Sequence, residues 1–161
     1  MRRLLILFGS AAAALAAVIY APVSLAPGQN PPAEERIAEP YLEIGNADIF
    51  VEIARDPAAV QKGLSGRASL APERGMLFIF PKPDYYRFWM PDMHFPIDII
   101  WIADGKVAGI TKNVSPEFDP SNPRFYLPPV VVRYVLEVNA GFSEMHGIAA
   151  GDGITFHKIA F

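Results

Sequence analysis

Between Phe88 and Ile102 the chain reads FWMPDMHFPIDIIWI, and the part from Ile97 to Ala103 is apolar at every position except Asp98. A strand with one wet face alternates apolar and polar residues; this one has no solvent side, so both its faces must be covered. That rules out a thin sheet standing open to water on one side. An ionised carboxylate is costly to bury alone, so Asp98 needs a partner or a use.

Short apolar segments recur along the chain. YLEI and DIFVEIA flank a GNA turn and read as a hairpin. Asp56-Pro57 is an N-cap followed by proline at the first helical position, and Gly63 closes the short helix AAVQK. Gly75 to Phe80 is a buried strand that Pro81-Lys82-Pro83 should end. Tyr85 to Met90 and Ile97 to Ala103 read as further strands, and Asp104-Gly105 is a tight turn into Lys106 to Val114. Val130 to Val138 is another strand, Gly141 to His146 a helical turn closed by Gly147, and Ile154 to Ile159 a last strand. This pattern predicts a mainly β fold: a single compact antiparallel β-barrel or small sandwich with short helices, behind an N-terminal hydrophobic segment. Ser115 to Pro129 holds five of the 16 prolines and forms a long, stiff loop, a common place for function and an equally common structural excursion.

The N-terminal segment is a separate unit. Arg2 and Arg3 precede an apolar run to Ala26, and the first acid is Glu34. A positive start followed by an apolar stretch directs export, either as a signal peptide cut after Ser24-Leu25-Ala26 or as an anchor with its N-terminus inside the cell. Residues 27–40, with four prolines after Ala26, read as a linker, and residues 41–161 as one β-domain. Export places that domain in the periplasm or another extracytoplasmic space, tethered to the inner membrane if the segment is retained.

The chain has no cysteine, which excludes disulfides, thiolate catalysis and thiolate metal sites. Without Arg2 and Arg3 the 14 basic residues fall to 12 against 17 acids, a net charge of about −5 that disfavours nucleic acid as a partner. No phosphate-cradling glycine loop, dinucleotide fingerprint or nucleophile elbow occurs, so no cofactor is expected.

Two acids lie in apolar strands: Asp98, and Glu137 within VVVRYVLEV. Asp98 has two main readings. It accepts backbone N–H groups or pairs with an arginine to fix a loop, or it lines a pocket and meets a ligand hydroxyl or ammonium. As a pair, the two carboxyls suggest a glycosidase, which needs them about 5 to 10 Å apart. Arg67, Arg74, Arg87 and Arg133 are candidate partners, each equally able to lay its stem over apolar neighbours at the surface. Met90, Met93 and His94 with Met145-His146 offer soft ligands suited to copper, and His94, His146 and His157 a zinc set if they converge; core packing of the methionines is the plainer reading, and no metal site is assigned. Trp89, Phe118, Phe125 and Tyr126 could form a stacking face, whereas Trp101 reads as core.

Four stretches, KGLSGRASLAPERGMLFIF, FWMPDMHFPIDIIWI, the Asp104-Gly105 turn and RYVLEVNAGFSEMHGIAAGD, together resemble the domain of unknown function 192 family from about Tyr41 to the C-terminus. The matching positions are Gly63, Leu64, Arg67, Leu70, Gly75, Met76, Phe80, Phe88, Trp89, Met90, Pro96, Asp98, Leu136, Glu137, Asn139, Ala140 and Gly141. The resemblance implies a compact β-rich domain, often behind a signal peptide or anchor, and brings no assigned activity. It also gives weight to Arg67, Trp89, Asp98 and Glu137 as one constellation. Pro91 to Phe95 departs from the family's Lys-Asn-Thr-type stretch, which sets Met93 and His94 apart, and the loop 115–129 is longer than usual.

The resulting expectation is a non-enzymatic module with no catalytic residues, binding a polar saccharide or peptide of the cell envelope. Arg67, Trp89, Asp98 and Glu137 would be its ligand-binding residues. Two alternatives stand beside it: a glycan hydrolase using Asp98 and Glu137, and a purely structural or assembly domain.

Overall fold

In the computed structural model, residues 39–161 are described. The expected N-terminal apolar segment lies outside them; among the described residues no helix is long and apolar enough to cross a membrane. The elements run β1 (Tyr41–Ile44), β2 (Ala47–Ala54), α1 (Pro57–Lys62), β3 (Arg74–Asp84), β4 (Ile97–Ala103), β5 (Lys106–Val114), β6 (Val132–Asn139), α2 (Phe142–Met145) and β7 (Ile154–His157). All seven strands belong to one sheet in the order β5-β4-β6-β3-β2-β1-β7.

The sheet curls into a half-barrel whose two outermost strands approach at one end. Ile154 donates to the Gly105 carbonyl at 2.8 Å, and Val107 exchanges bonds with Asp152 and Gly151 at 2.9 and 2.8 Å. No second sheet stacks on the first among the described residues, so the sandwich alternative does not hold. The sheet is also not wholly antiparallel, because β2 and β3 pair in parallel from Phe50↔Arg74 to Ala54↔Phe78. Parallel neighbours need a crossover, and α1 with the turns after it supplies one. Asp56 caps α1 by accepting from Ala59 N–H at 3.0 Å, and Gly63 ends it at φ +49°. The Asn139 amide then holds the crossover down by donating to the Leu70 and Ala71 carbonyls at 3.0 and 3.2 Å.

Two further expectations change. β3 continues through Pro81 and Pro83 to Asp84, because its register with β6 shifts between Ile79 and Asp84 and a proline there breaks no ladder bond. Tyr85 to Met90 is not a strand; its bridge, Phe88↔Tyr126, is to the proline-rich loop and lies outside the seven-stranded sheet. The last two strands are Val132–Asn139 and Ile154–His157, each displaced or trimmed from the predicted span. The Asp104-Gly105 turn has positive φ at both residues, as a two-residue hairpin turn requires.

Both faces of the central strands are buried, as the composition of β4 demands. On the concave face Ile100, Ile102, Leu136 and Val138 pack with Leu42, Ile44, Ile49 and Leu77. On the convex face Ile97, Ile99, Trp101 and Val135 pack with Leu64, Met76, Phe78 and Phe88, with α1 and the segment after β3 as cover. Each fully buried side chain of this size contributes about 1.5–3 kcal/mol.

Candidate functional site

Asp98 is fully buried, and its partners are backbone groups and a hydroxyl rather than an arginine. Oδ1 accepts from Asn113 N–H at 2.8 Å and Gly141 N–H at 3.3 Å. Oδ2 accepts from Ser143 N–H at 3.1 Å and from Ser143 Oγ at 2.6 Å. Local backbone aims these donors: Asn113 and Gly141 both sit in the left-handed region, at φ +52° and +80°. Asp98 thereby ties β4, the end of β5 and the start of α2 together. No oxygen is left over for a ligand.

Glu137 is on the other face. In the β4–β6 register Asp98 stands opposite Val138 and Ile99 opposite Glu137, so the two carboxylates project to opposite sides of the sheet. They cannot flank one glycosidic bond, and the glycosidase pairing is excluded by this geometry.

The Glu137 side chain is 5% exposed and has no hydrogen bond or ion pair among the described residues. Burial alone pushes its carboxyl up to about 8. Among the described residues no side-chain nitrogen or oxygen wholly shut off from solvent lacks a partner, so the unpaired Glu137 oxygens open onto free space. That space is a cavity of about 230 Å³ on the convex face, between α1 with the turn after it and the segment from Tyr86 to Met93. Among the described residues Glu137 is the one acid in its lining; Phe78, Phe80, Phe88 and Trp89 form aromatic walls, and Lys62 and Arg87 also border it. Gly63 makes room: a Cβ there would lie 3.3 Å from the Phe78 ring and 3.9 Å from Glu137 Oε2. The cavity walls are joined by Ser65 Oγ donating to the Pro91 carbonyl at 2.8 Å and Gly66 N–H donating to that of Asp92 at 2.7 Å.

Trp89 lines the same cavity and is 46% exposed. The proline-rich loop supports it, with Phe125 stacked at 5.8 Å between ring centroids and Phe118 edge-on at 5.6 Å. Arg87 lies over the Phe125 ring at 5.0 Å.

Arg67 does not meet Asp98 or Glu137. Its guanidinium grips Glu52 in a two-pronged pair, Nη1 to Oε1 and Nη2 to Oε2, the latter at 2.7 Å. That bond holds Glu52 below the ordinary carboxylate range. Register places Glu52, Met76 and Glu137 in one row across β2, β3 and β6, so Glu52 is two strands, or about 10 Å, from Glu137. Of the four expected residues, the structure therefore brings Trp89 and Glu137 together and leaves Arg67 and Asp98 elsewhere. Gly63 and Glu52 were not singled out as site residues from sequence, and Arg87 entered only as one of four candidate partners for the buried acids; for Gly63 the local signals were its place after a helix and its match to the family pattern.

The histidines do not converge. His94 faces Asp92 at 3.5 Å, His146 packs on Phe142, and His157 stacks on Tyr41 beside Glu43. Met93 borders the cavity, Met90 is buried and Met145 is 81% exposed, so the methionines share no site either.

A curled seven-stranded sheet crossed by one helix, with an acid-floored aromatic cavity under that helix, defines a small β-rich domain with a built pocket. Residues 41–156 match the family model DUF192, described as uncharacterized ACR, and the chain belongs to that family. Among solved structures it is similar to a suggested transcription regulator from Sinorhizobium meliloti, with 32% identity and a TM-score of 0.66 over 73% of this chain and 92% of that one. It is also similar to a protein of unknown function from Novosphingobium aromaticivorans, with 30% identity and a TM-score of 0.65 over 71% of this chain and 83% of that one. No curated protein matches.

Proposed function

We propose that this chain is an exported, non-enzymatic binding module whose convex-face cavity receives a polar group of a cell-envelope saccharide or peptide. One observation carries the reading: Glu137, an acid without a partner among the described residues, floors a cavity walled by aromatic rings. An unpaired buried acid destabilises a fold that an apolar residue would serve better, and a ligand that supplies a donor removes the penalty. Aromatic walls around a single polar group are the usual make-up of a small-ligand site.

That no second acid lines the cavity among the described residues favours binding over acid–base hydrolysis. The sequence of residues 1–26 supports export, with anchoring at the membrane if the segment is kept. The acidic balance of the remainder argues against nucleic acid. Amide NMR on the full chain in a nonionic detergent, titrated with envelope saccharides and peptides, tests the reading. Binding should shift signals from residues 60–65, 86–93 and 137; spectra unchanged across the whole set would refute it.

A further inference from the structure

We infer that the group received by this cavity is a primary ammonium on an unbranched apolar stem, the chemistry of a lysine side chain or an alkylamine. The inference rests on the binding reading above and narrows it to one ligand class. The volume is its first support. About 230 Å³ lies below the roughly 300–1,000 Å³ typical of pockets for drug-sized ligands, so the cavity suits one side chain or small amine rather than a glycan.

Charge is the second. The Glu137 oxygens open onto the cavity, and among the described residues no cation is bonded to them. The neighbouring positions on β3 and β4, Met76, Phe78 and Ile99, carry no charge. On β2, Glu52 is occupied by Arg67. On β6, the next charged residue on this face is Arg133, which donates to the Phe80 carbonyl at 3.3 Å. From the covering elements Lys62, Tyr86 and Arg87 reach the lining; the Tyr86 hydroxyl is turned to the Lys82 carbonyl at 2.8 Å, and both cations are solvent-exposed. Water screens the repulsion of Lys62 and Arg87 far more than it screens an ion pair formed at the buried carboxylate. The walls are the third support, since aromatic faces attract a desolvated cation and also pack against an apolar stem. A neutral hydroxyl would use neither property.

Binding then exchanges one cation for another. Empty, Glu137 holds its proton up to about 8. An ammonium that enters below that pH pairs with the carboxylate while the Glu137 proton leaves to solvent; no covalent bond to the ligand forms or breaks.

Calorimetry on the full chain in nonionic detergent, at pH 6, 7, 8 and 9 in buffers of differing ionisation heat, tests this with four probes. These are Nα-acetyl-lysine methylamide, butylamine, Nα-acetyl-norleucine methylamide and N-acetylglucosamine. The two amines should bind about tenfold more tightly at pH 7 than at pH 6, level off above pH 8, and release close to one proton at the lower pH values. A tighter lysine derivative assigns a peptide, and equal affinities assign a free amine. Glu137→Gln should abolish amine binding; should that variant not fold, proton release by the unaltered protein still decides. Norleucine or sugar bound at least as tightly as the amines, or amines bound without proton release, overturns the inference while leaving a binding module. Silence from all four probes, with shifts in the NMR screen from other ligands, also overturns the ammonium class alone. Silence in both experiments overturns both.

Discussion

Asp98 and Glu137 stand on neighbouring strands one register position apart and therefore point to opposite faces of the same sheet. The two acids look alike in the sequence, each set in an apolar strand, yet their surroundings assign them opposite roles. Asp98 is met by four donor contacts and serves as a structural tie. Glu137 is met by none among the described residues and opens onto a cavity.

Ser143→Ala removes the hydroxyl that donates to Asp98 Oδ2 at 2.6 Å inside the core. Loss of one buried donor to a carboxylate should lower the unfolding free energy by about 1–3 kcal/mol. Asp98→Asn should cost as much or more, because its amide places donors against the surrounding N–H groups. Urea midpoints measure both, and ligand shifts at residues 60–65 should survive in the folded fraction.

Stability should fall as pH rises from about 4.5 to about 8 through Glu137. The folded chain keeps a proton that the unfolded chain, with its carboxyl near 4.5, has already released. Unfolding thus frees a proton, and rising pH favours it. The contribution is full below the unfolded value and gone above the folded one, with a slope of at most about 1.4 kcal/mol per pH unit between. Glu137→Gln should flatten this part of the pH profile and be the more stable protein at pH 8. Parallel chemical denaturation of both proteins from pH 5 to pH 9 measures it.

Arg67→Met should change stability by less than about 1 kcal/mol, since its pair with Glu52 is partly solvated on both sides. It should leave ligand affinity at the cavity unchanged. A tenfold loss of affinity in the variant would place Arg67 back in the site.

Gly75→Ala should destabilise by about 1–3 kcal/mol through overpacking. A Cβ at this position would lie 2.8 Å from the Glu137 carbonyl oxygen and 2.9 Å from Leu136 Cδ1. Backbone can yield to it only by moving β3 away from β6, so thermal unfolding should begin lower while the cavity ligand shifts weaken.

The parts of this fold that are written locally were legible. The Gly45 turn, the Asp56-Pro57 helix start, Gly63 at its end and the Asp104-Gly105 hairpin each specify their own backbone. The doubly buried strand β4 was legible from its lack of alternation. Long-range pairing was not. The parallel join of β2 to β3 depends on where the crossover lands, and no residue in either strand encodes it. Nor does local pattern say whether Asp98 and Glu137 share a face, since one step in register inverts the answer. The same gap hid Glu52 as the partner of Arg67. Trp89 and Glu137, singled out from sequence as an open aromatic and an acid in an apolar strand and given weight by the family resemblance, line one cavity.

The state of the Glu137 carboxyl is the point on which this account stands. Its side-chain carboxyl carbon, followed by 13C NMR from pH 4 to pH 10 in the full chain, gives that state directly. A midpoint near 8 is expected in the free protein, moving down when butylamine is added. A midpoint near 4.5, unmoved by the amine, would mean that the carboxylate is already satisfied or solvated, and would contradict it.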